Sequence, residues 1–362
     1  MRAIVATASC ILFCFILAAC ANVYEASPPG EADTVPKAGS QQSAITGKEV
    51  AGQMNLYESA KDPLFVKAFY EKTKVPDRPA TYATGANVKY EKGEKSVWLV
   101  EEQRSGAELI EAGLYMKNRK LIDEGWKTFA WAFAKQGADG GFLGTGDPYH
   151  STDMFVESVA RALLLMKQSG DSYYAEYSSQ YLEKLHTAAL WMLKPEVEKT
   201  RHKNDNLTHR RWISAAAFGM TGALTGDEKL IKQAELYAKE GLALQTAEGI
   251  NPEKGGFDIT YHNFGILMAE RYYLVCRDEQ LKTQVLAMAD KGLTYSEAKT
   301  KANGDVSTED STRVGNETDR SGVQKTPAYR SIVQAFVMGS QLTGKTEFYT
   351  SAERIARFRF LE

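Results

Sequence analysis

Trp212-Ile213-Ser214-Ala215-Ala216-Ala217-Phe218-Gly219-Met220-Thr221-Gly222-Ala223-Leu224 runs without a single charge and is rich in small side chains. A helix of this composition has no face to give to water, so it must be surrounded by protein. After Thr225-Gly226-Asp227 the character changes. In 227–245, Leu230, Ile231, Ala234, Tyr237, Ala238 and Leu242 fall on one stripe, while Glu228, Lys229, Lys232, Glu235, Lys239 and Glu240 occupy the other face. That is a helix with one side in water. The pair reads as an enclosed helix followed by the helix that covers it.

The same unit recurs along the chain. Helix pairs are expected at 97–116 with 118–135, 151–168 with 172–197, 209–224 with 227–245, 261–276 with 279–296, and 327–342 with 346–360, and a helix near 55–72 is expected as half of a sixth pair. Short turns join the members of each pair: Asn118, Ser169-Gly170-Asp171, Thr225-Gly226-Asp227, Arg277-Asp278 and Thr343-Gly344-Lys345. The spacing from Asn118 to Gly170 is 52 positions and from Gly170 to Gly226 is 56, a period that signals a repeat of helical hairpins. Alternating enclosed and half-exposed helices are what an α/α toroid requires. The expected fold is therefore all-α: an incomplete or closed barrel of about five to seven hairpins.

The chain has 362 residues, 43% of them apolar, with 44 basic against 46 acidic side chains. A chain of this size buries roughly three quarters of its unfolded surface and needs no disulfide or structural metal to make a core. The balanced charge argues against a dedicated nucleic-acid binder. The strongly apolar run is 3–21, where one positive charge, a short apolar stretch and small residues before a cleavage point make a secretory signal. Leu17-Ala18-Ala19-Cys20 is similar to the lipobox of bacterial lipoproteins. This implies a signal peptide over 1–19, a lipidated Cys20, and a protein held at the envelope by lipid only; Ala21 after the cysteine points to the outer membrane. Residues 20–53, rich in Pro, Gly, Ser, Ala and Gln, read as a tether, and 54–362 as the folded body, expected to be a monomer. With Cys10 and Cys14 lost and Cys20 lipidated, Cys276 is left as a single buried thiol.

If the short turns all lie at one end, the connections 136–150, 198–208, 246–260 and 297–326 gather at the other, each feeding the N-terminus of an enclosed helix. Long loops on a rigid scaffold are where sites are built, and helix N-termini favour anions. Of five histidines, His150, His202, His209 and His262 fall in or just after these connections. Gly140-Gly141-Phe142 before Tyr149-His150 resembles Gly255-Gly256-Phe257 before Tyr261-His262. Asn204, Asn206, Arg210, Arg211, Lys254, Arg313, Asn316, Arg320, Lys325 and Arg330 join them. No metal-ligand spacing, phosphate-cradling loop or nucleophile elbow is present, so no cofactor is expected.

His209-Arg210-Arg211-Trp212, the enclosed helix, and Asn251-Pro252-Glu253-Lys254-Gly255-Gly256-Phe257-Asp258-Ile259-Thr260-Tyr261-His262 together resemble α/α-toroid polysaccharide lyases that act on uronate polymers such as alginate and glucuronan. The likeness covers about 136–345. It implies β-elimination on an anionic polysaccharide. The C5 proton of a uronate can be removed only if charge building on the adjacent carboxylate is neutralised, while a tyrosine or histidine takes the proton. By resemblance Tyr261 is the acid/base, His209 and Asn206 neutralise the carboxylate, and Arg210 or Arg211 clamps the substrate. His262 and the pair Tyr149-His150 are second choices for the base. Lys254, Arg313, Asn316, Arg320 and Lys325 would line subsites, with Asp258 as a cap or an orienting partner. Thr208 stands where related alginate lyases often carry Asn. Two other readings compete: a glycoside hydrolase using two carboxylates from Asp147, Asp153, Glu157 and Asp258, and a polysaccharide-binding lipoprotein without catalysis.

Overall fold

A computed structural model describes residues 54–75, 88–89, 96–319 and 322–361. The expected signal, Cys20, the tether and Arg320 lie outside the described residues. Ten long helices form five antiparallel hairpins among the described residues: α1 (Ser105–Tyr115) with α2 (Arg119–Phe133), α3 (Pro148–Ser169) with α4 (Tyr173–Met192), α5 (His209–Thr225) with α6 (Glu228–Leu244), α7 (Ile259–Tyr273) with α8 (Glu279–Glu297), and α9 (Tyr329–Thr343) with α10 (Thr346–Ala356). Strand is confined, among the described residues, to a two-residue antiparallel pair, Val88–Lys89 with Ser96–Val97. No helix of the described residues is long and apolar enough to cross a membrane.

The odd-numbered helices pack against one another in sequence, α1 on α3, α3 on α5, α5 on α7 and α7 on α9, and each is backed by its even-numbered partner. Composition dictates this sorting. Of the uncharged run, all but Ala223 is buried, whereas α6 buries Leu230, Ile231, Ala234, Tyr237 and Ala238 and leaves its charged face in water. Burying the apolar stripe of each outer helix on the inner ring is the main stabilising term, at roughly 25 cal/mol per Å² of apolar surface removed from water. Turns begin and end where the sequence places them: Asn118, Asp227, Asp258 and Asp278 accept from the first free amides of the helices they precede. The expected helix at 97–116 is shorter: it starts at Ser105 after a 3₁₀ turn, Val100–Arg104.

The ring of five hairpins is completed by the N-terminal segment, the expected half of a sixth pair. Its short helices, Leu56–Ala60 and Pro63–Phe65, and a π turn, Val66–Tyr70, bridge the two ends. Ser59 Oγ donates to Gln341 on α9 (2.6 Å), Tyr349 of α10 donates to Asp62 (2.9 Å), and Tyr70 donates to Glu111 on α1 (2.5 Å).

All long connections return at one rim, as expected, but their internal repeat differs from the sequence reading. Gly140 is matched by Gly249, not by Gly255. Both have φ +96°, and a Cβ at either would lie 2.3 Å from Thr187 O or 2.7 Å from Lys291 O, so the close approach to the neighbouring outer helix admits only glycine. Gln136 and Gln245 complete each copy, donating to Gly140 O and Lys184 O, and to Gly249 O and Met288 O. Cys276 is half-buried rather than enclosed.

Candidate functional site

At the loop-bearing rim the inner helices open onto a cavity of about 1150 Å³. This exceeds the range of pockets for small ligands, about 300–1,000 Å³, and suits an extended one. His150 and Arg161 both line it from α3, and Tyr261 and Arg271 both line it from α7. At 1.5 Å per helical residue these separations carry the cavity about 15 Å down the ring.

His209, Arg210, Tyr261, Arg313, Lys325 and His150 meet at its upper wall. Chain order explains how. His209 and Arg210 open α5, Tyr261 stands in the first turn of α7, and Arg313 and Lys325 come from the last long loop. Asp258 draws that loop in: its Oδ1 caps α7 by accepting from Thr260 and Tyr261 N–H, and its Oδ2 accepts from Arg313 and Val314 N–H (2.9 and 2.8 Å). The Arg313 guanidinium consequently lies 3.6 Å from the Tyr261 ring centre, with Lys325 Nζ at 5.3 Å. The His209 ring is 4.8 Å from the Tyr261 ring and 6.5 Å from that of His150.

Glu253 is the residue that sequence reasoning did not place in the site. Its carboxylate is fully buried and grips His209 twice: Oε1 accepts the backbone N–H (2.9 Å) and Oε2 lies 2.8 Å from Nδ1. Burial pushes the Glu253 carboxyl up to about 8. Burial, reinforced by Arg210 and Arg313, holds the His209 imidazole well below its ordinary value, so the ring is neutral. When Glu253 is ionised it fixes the proton on Nδ1 and leaves the Nε2 lone pair to act as a base. His150 is neutral for the same reason, burial with Arg210 beside it. A neutral His209 does not supply the charge expected of it, and the positive charge at this wall is that of Arg210, Arg313 and Lys325.

Glu317 gathers part of that positive charge. Lys254, Lys325 and Arg313 all bond its carboxylate, Arg313 through Nε at 3.1 Å. Burial alone would raise this carboxyl, but the three cations outweigh it and bring it to about 2. The cavity is also less one-sided than the loop composition suggests: Glu101, Glu102 and Glu108 line it from α1 and the turn before it, with Arg330 3.5 Å from Glu108.

Several expected site residues are elsewhere. Tyr149 turns from the cavity into the wall, its hydroxyl 2.8 Å from that of Tyr237. His262 is fully buried, accepting from Asn251 N–H at Nδ1 and facing Gly292 O through Nε2; burial lowers it to about 4, and it serves packing. Arg211 points outward to Asp205 and Glu240 (2.7 and 2.9 Å). Asn206 is exposed and does not line the cavity, offering its carbonyl to Lys254 N–H. Lys254 reaches Glu317 from outside the lining, and Asn316 donates to Ser311 O within its own loop (2.6 Å). Asp258 is a buried cap with no surface to offer substrate. Of the carboxylates weighed for hydrolysis, Asp153 sits in the wall, accepting from Ser214 Oγ, and Glu157 lies between two arginines. No group of three or more His, Cys, Asp or Glu is placed to hold a metal ion among the described residues.

No known protein family matches the chain, and no curated protein does. Its fold is similar to that of a solved structure described as a sugar epimerase from a ruminal bacterium, with a TM-score of 0.50, 13% identity, and 85% of each chain covered. At that identity the likeness speaks for the fold, an α/α toroid of helical hairpins.

Proposed function

We propose that this protein is a carbohydrate-active enzyme that cleaves a uronate-containing polysaccharide by β-elimination. The observation that carries the proposal is the grouping of a neutral histidine oriented by a carboxylate, His209 with Glu253, against a tyrosine lying under Arg313. Arg210, Arg313 and Lys325 would hold the uronate carboxylate and balance the charge that develops on it as the C5–H bond breaks. His209 Nε2 takes that proton. The electron pair forms the C4–C5 double bond, the C4–O bond to the next sugar breaks, and the Tyr261 hydroxyl protonates the departing oxygen. Solvent then takes the proton from His209 and returns one to Tyr261, so no water is added across the bond. A carbohydrate substrate is also in keeping with the fold's likeness to a sugar epimerase.

One experiment separates the readings. The protein is incubated with alginate, glucuronan and other uronate polymers while the ultraviolet absorbance of the conjugated product is followed. Absorbance that grows with new reducing ends supports elimination; reducing ends without it mean hydrolysis, and retention on polymer without cleavage means a binding protein. A second reading, epimerisation, has its own support in the neighbouring rings of His150 and His209, 6.5 Å apart and nearly perpendicular, which could take and return a proton on one carbon. Deuterium entering recovered substrate, with no unsaturated product, would favour it. The envelope location belongs to the same proposal, and loss of radiolabelled palmitate incorporation in Cys20→Ala would support it.

A further inference from the structure

The lower end of the cavity is chemically unlike its rim. Glu111, Glu157, Arg161 and Arg271 line it and are each no more than 7% exposed. They form one connected network: Arg161 bonds Glu111 Oε2 (2.9 Å) and Glu157 Oε1 (3.1 Å), and Arg271 bonds the same Glu157 oxygen (2.9 Å). Two carboxylates against two guanidiniums leave no net charge. Each arginine retains N–H groups beyond those the carboxylates take, because Arg161 bonds them through Nε and Nη1 and Arg271 through Nη1 alone.

Gln334 of α9 supplies the independent observation. Its side chain lines the same cavity, the residue is 7% exposed, and no hydrogen bond or ion pair holds it among the described residues. A primary amide that lines a cavity and is unbonded to protein leaves both a donor and an acceptor for whatever occupies that cavity. A hydroxyl-rich, uncharged ring offers both. An anion would meet the carboxylates of Glu111 and Glu157, and an apolar group would strand the amide and the spare guanidinium N–H groups.

We propose that Gln334, about 9 Å below the rim, and the buried network deeper in the same cavity, about 15 Å down, form a subsite for a neutral sugar unit. The proposal rests on the cavity being a carbohydrate site, and it narrows the substrate to a chain in which an uncharged sugar precedes the uronate held at the rim. The sugar enters first, its hydroxyls bonding the Gln334 amide and the free guanidinium N–H groups, and the uronate comes after it into reach of His209 and Tyr261.

Calorimetric titration of the full chain with mannobiose, xylobiose and galactobiose, and separately with trimannuronate, tests it. At least one neutral disaccharide binds the wild type, and Gln334→Leu weakens it about tenfold, the loss expected for one or two hydrogen bonds. Gln334→Asn, which keeps the amide but withdraws it, weakens it as well. Arg313→Gln weakens trimannuronate while leaving the neutral disaccharide as in the wild type. No binding of any neutral disaccharide, or unchanged affinity in both Gln334 variants with folding intact by circular dichroism, overturns the subsite. Neutral binding lost in Gln334→Leu, in a protein that cleaves no uronate polymer, supports the subsite and overturns the elimination reaction instead.

Discussion

Replacing Glu253 with Gln changes one atom of the buried grip on His209, and that single change reverses the polarity of the contact with the ring. The carboxylate receives two donors from the same residue, the backbone N–H and Nδ1. An amide has one acceptor oxygen and one donor nitrogen. The backbone N–H cannot change its role, so the new carbonyl turns to it and the NH₂ faces Nδ1. Nδ1 must then accept, which moves the ring proton to Nε2 and removes the lone pair at the cavity face. Loss of a positioned base costs about 10²- to 10⁴-fold in kcat, or roughly 3 to 5 kcal/mol at 1.36 kcal/mol per decade. KM should move severalfold at most: Arg210 and Lys325 are untouched, while Arg313, whose Nη1 lies 3.6 Å from Glu253 Oε2, loses one of its two carboxylate partners. The melting temperature should fall little, because the variant also removes a carboxyl whose ionisation burial opposes. The assay is the initial rate of unsaturated-product absorbance against pH. With Glu253 raised to about 8, its protonated form would donate to Nδ1 and place the ring proton on Nε2, so wild-type kcat should rise as pH passes upward through that value. The apparent pKa belongs to the pair rather than to either group. In Glu253→Gln the rising limb should vanish along with the activity. Near wild-type kcat with the limb retained would show that His209 is not the base and that Glu253 only packs beneath it.

Tyr261→Phe keeps the ring under Arg313 and against His209 but removes the proton donor, so kcat should drop by about 10² or more with the fold and KM near wild type; unchanged turnover assigns the acid elsewhere. Glu317→Gln frees Lys254, Arg313 and Lys325 from a carboxylate held at about 2, and KM for an anionic polymer should fall severalfold with a steeper dependence on salt; a loss of kcat instead would mean that Glu317 positions Arg313. Asp153 is buried and raised to about 8, so its neutral form suits the fold, and the stability present below about pH 4 is lost progressively as pH climbs through about 8. Asp153→Asn, which cannot ionise and still accepts from Ser214, should melt about 2 °C or more above wild type near pH 9 and no higher near pH 4; an equal shift at both ends would refute that ionisation.

Much of the site was legible because charge, aromatic and amide residues collect in the long loops, and those loops can reach only one rim. His209, Arg210, Tyr261, Arg313 and Lys325 come together from that topology alone. Glu253 escaped because its partner is 44 positions back in the chain, and a carboxylate before a Gly-Gly turn looks like any solvated loop charge.

The hairpin repeat was determined locally. An uncharged helix must go inside and a striped one must cover it, whatever surrounds them. Which of two adjacent residues faces the cavity was not. Tyr149 and His150, Arg210 and Arg211, and Tyr261 and His262 are each consecutive in the first turn of an inner helix, and in each pair one residue lines the cavity while the other is sunk in the wall. Neighbours on a helix are separated by about 100° of rotation, and the sequence carries the separation but not the absolute phase. That phase is set when the whole ring packs, by the buried faces of the helices on either side. The adjacency was written in the chain, and the choice within each pair came from the closed ring.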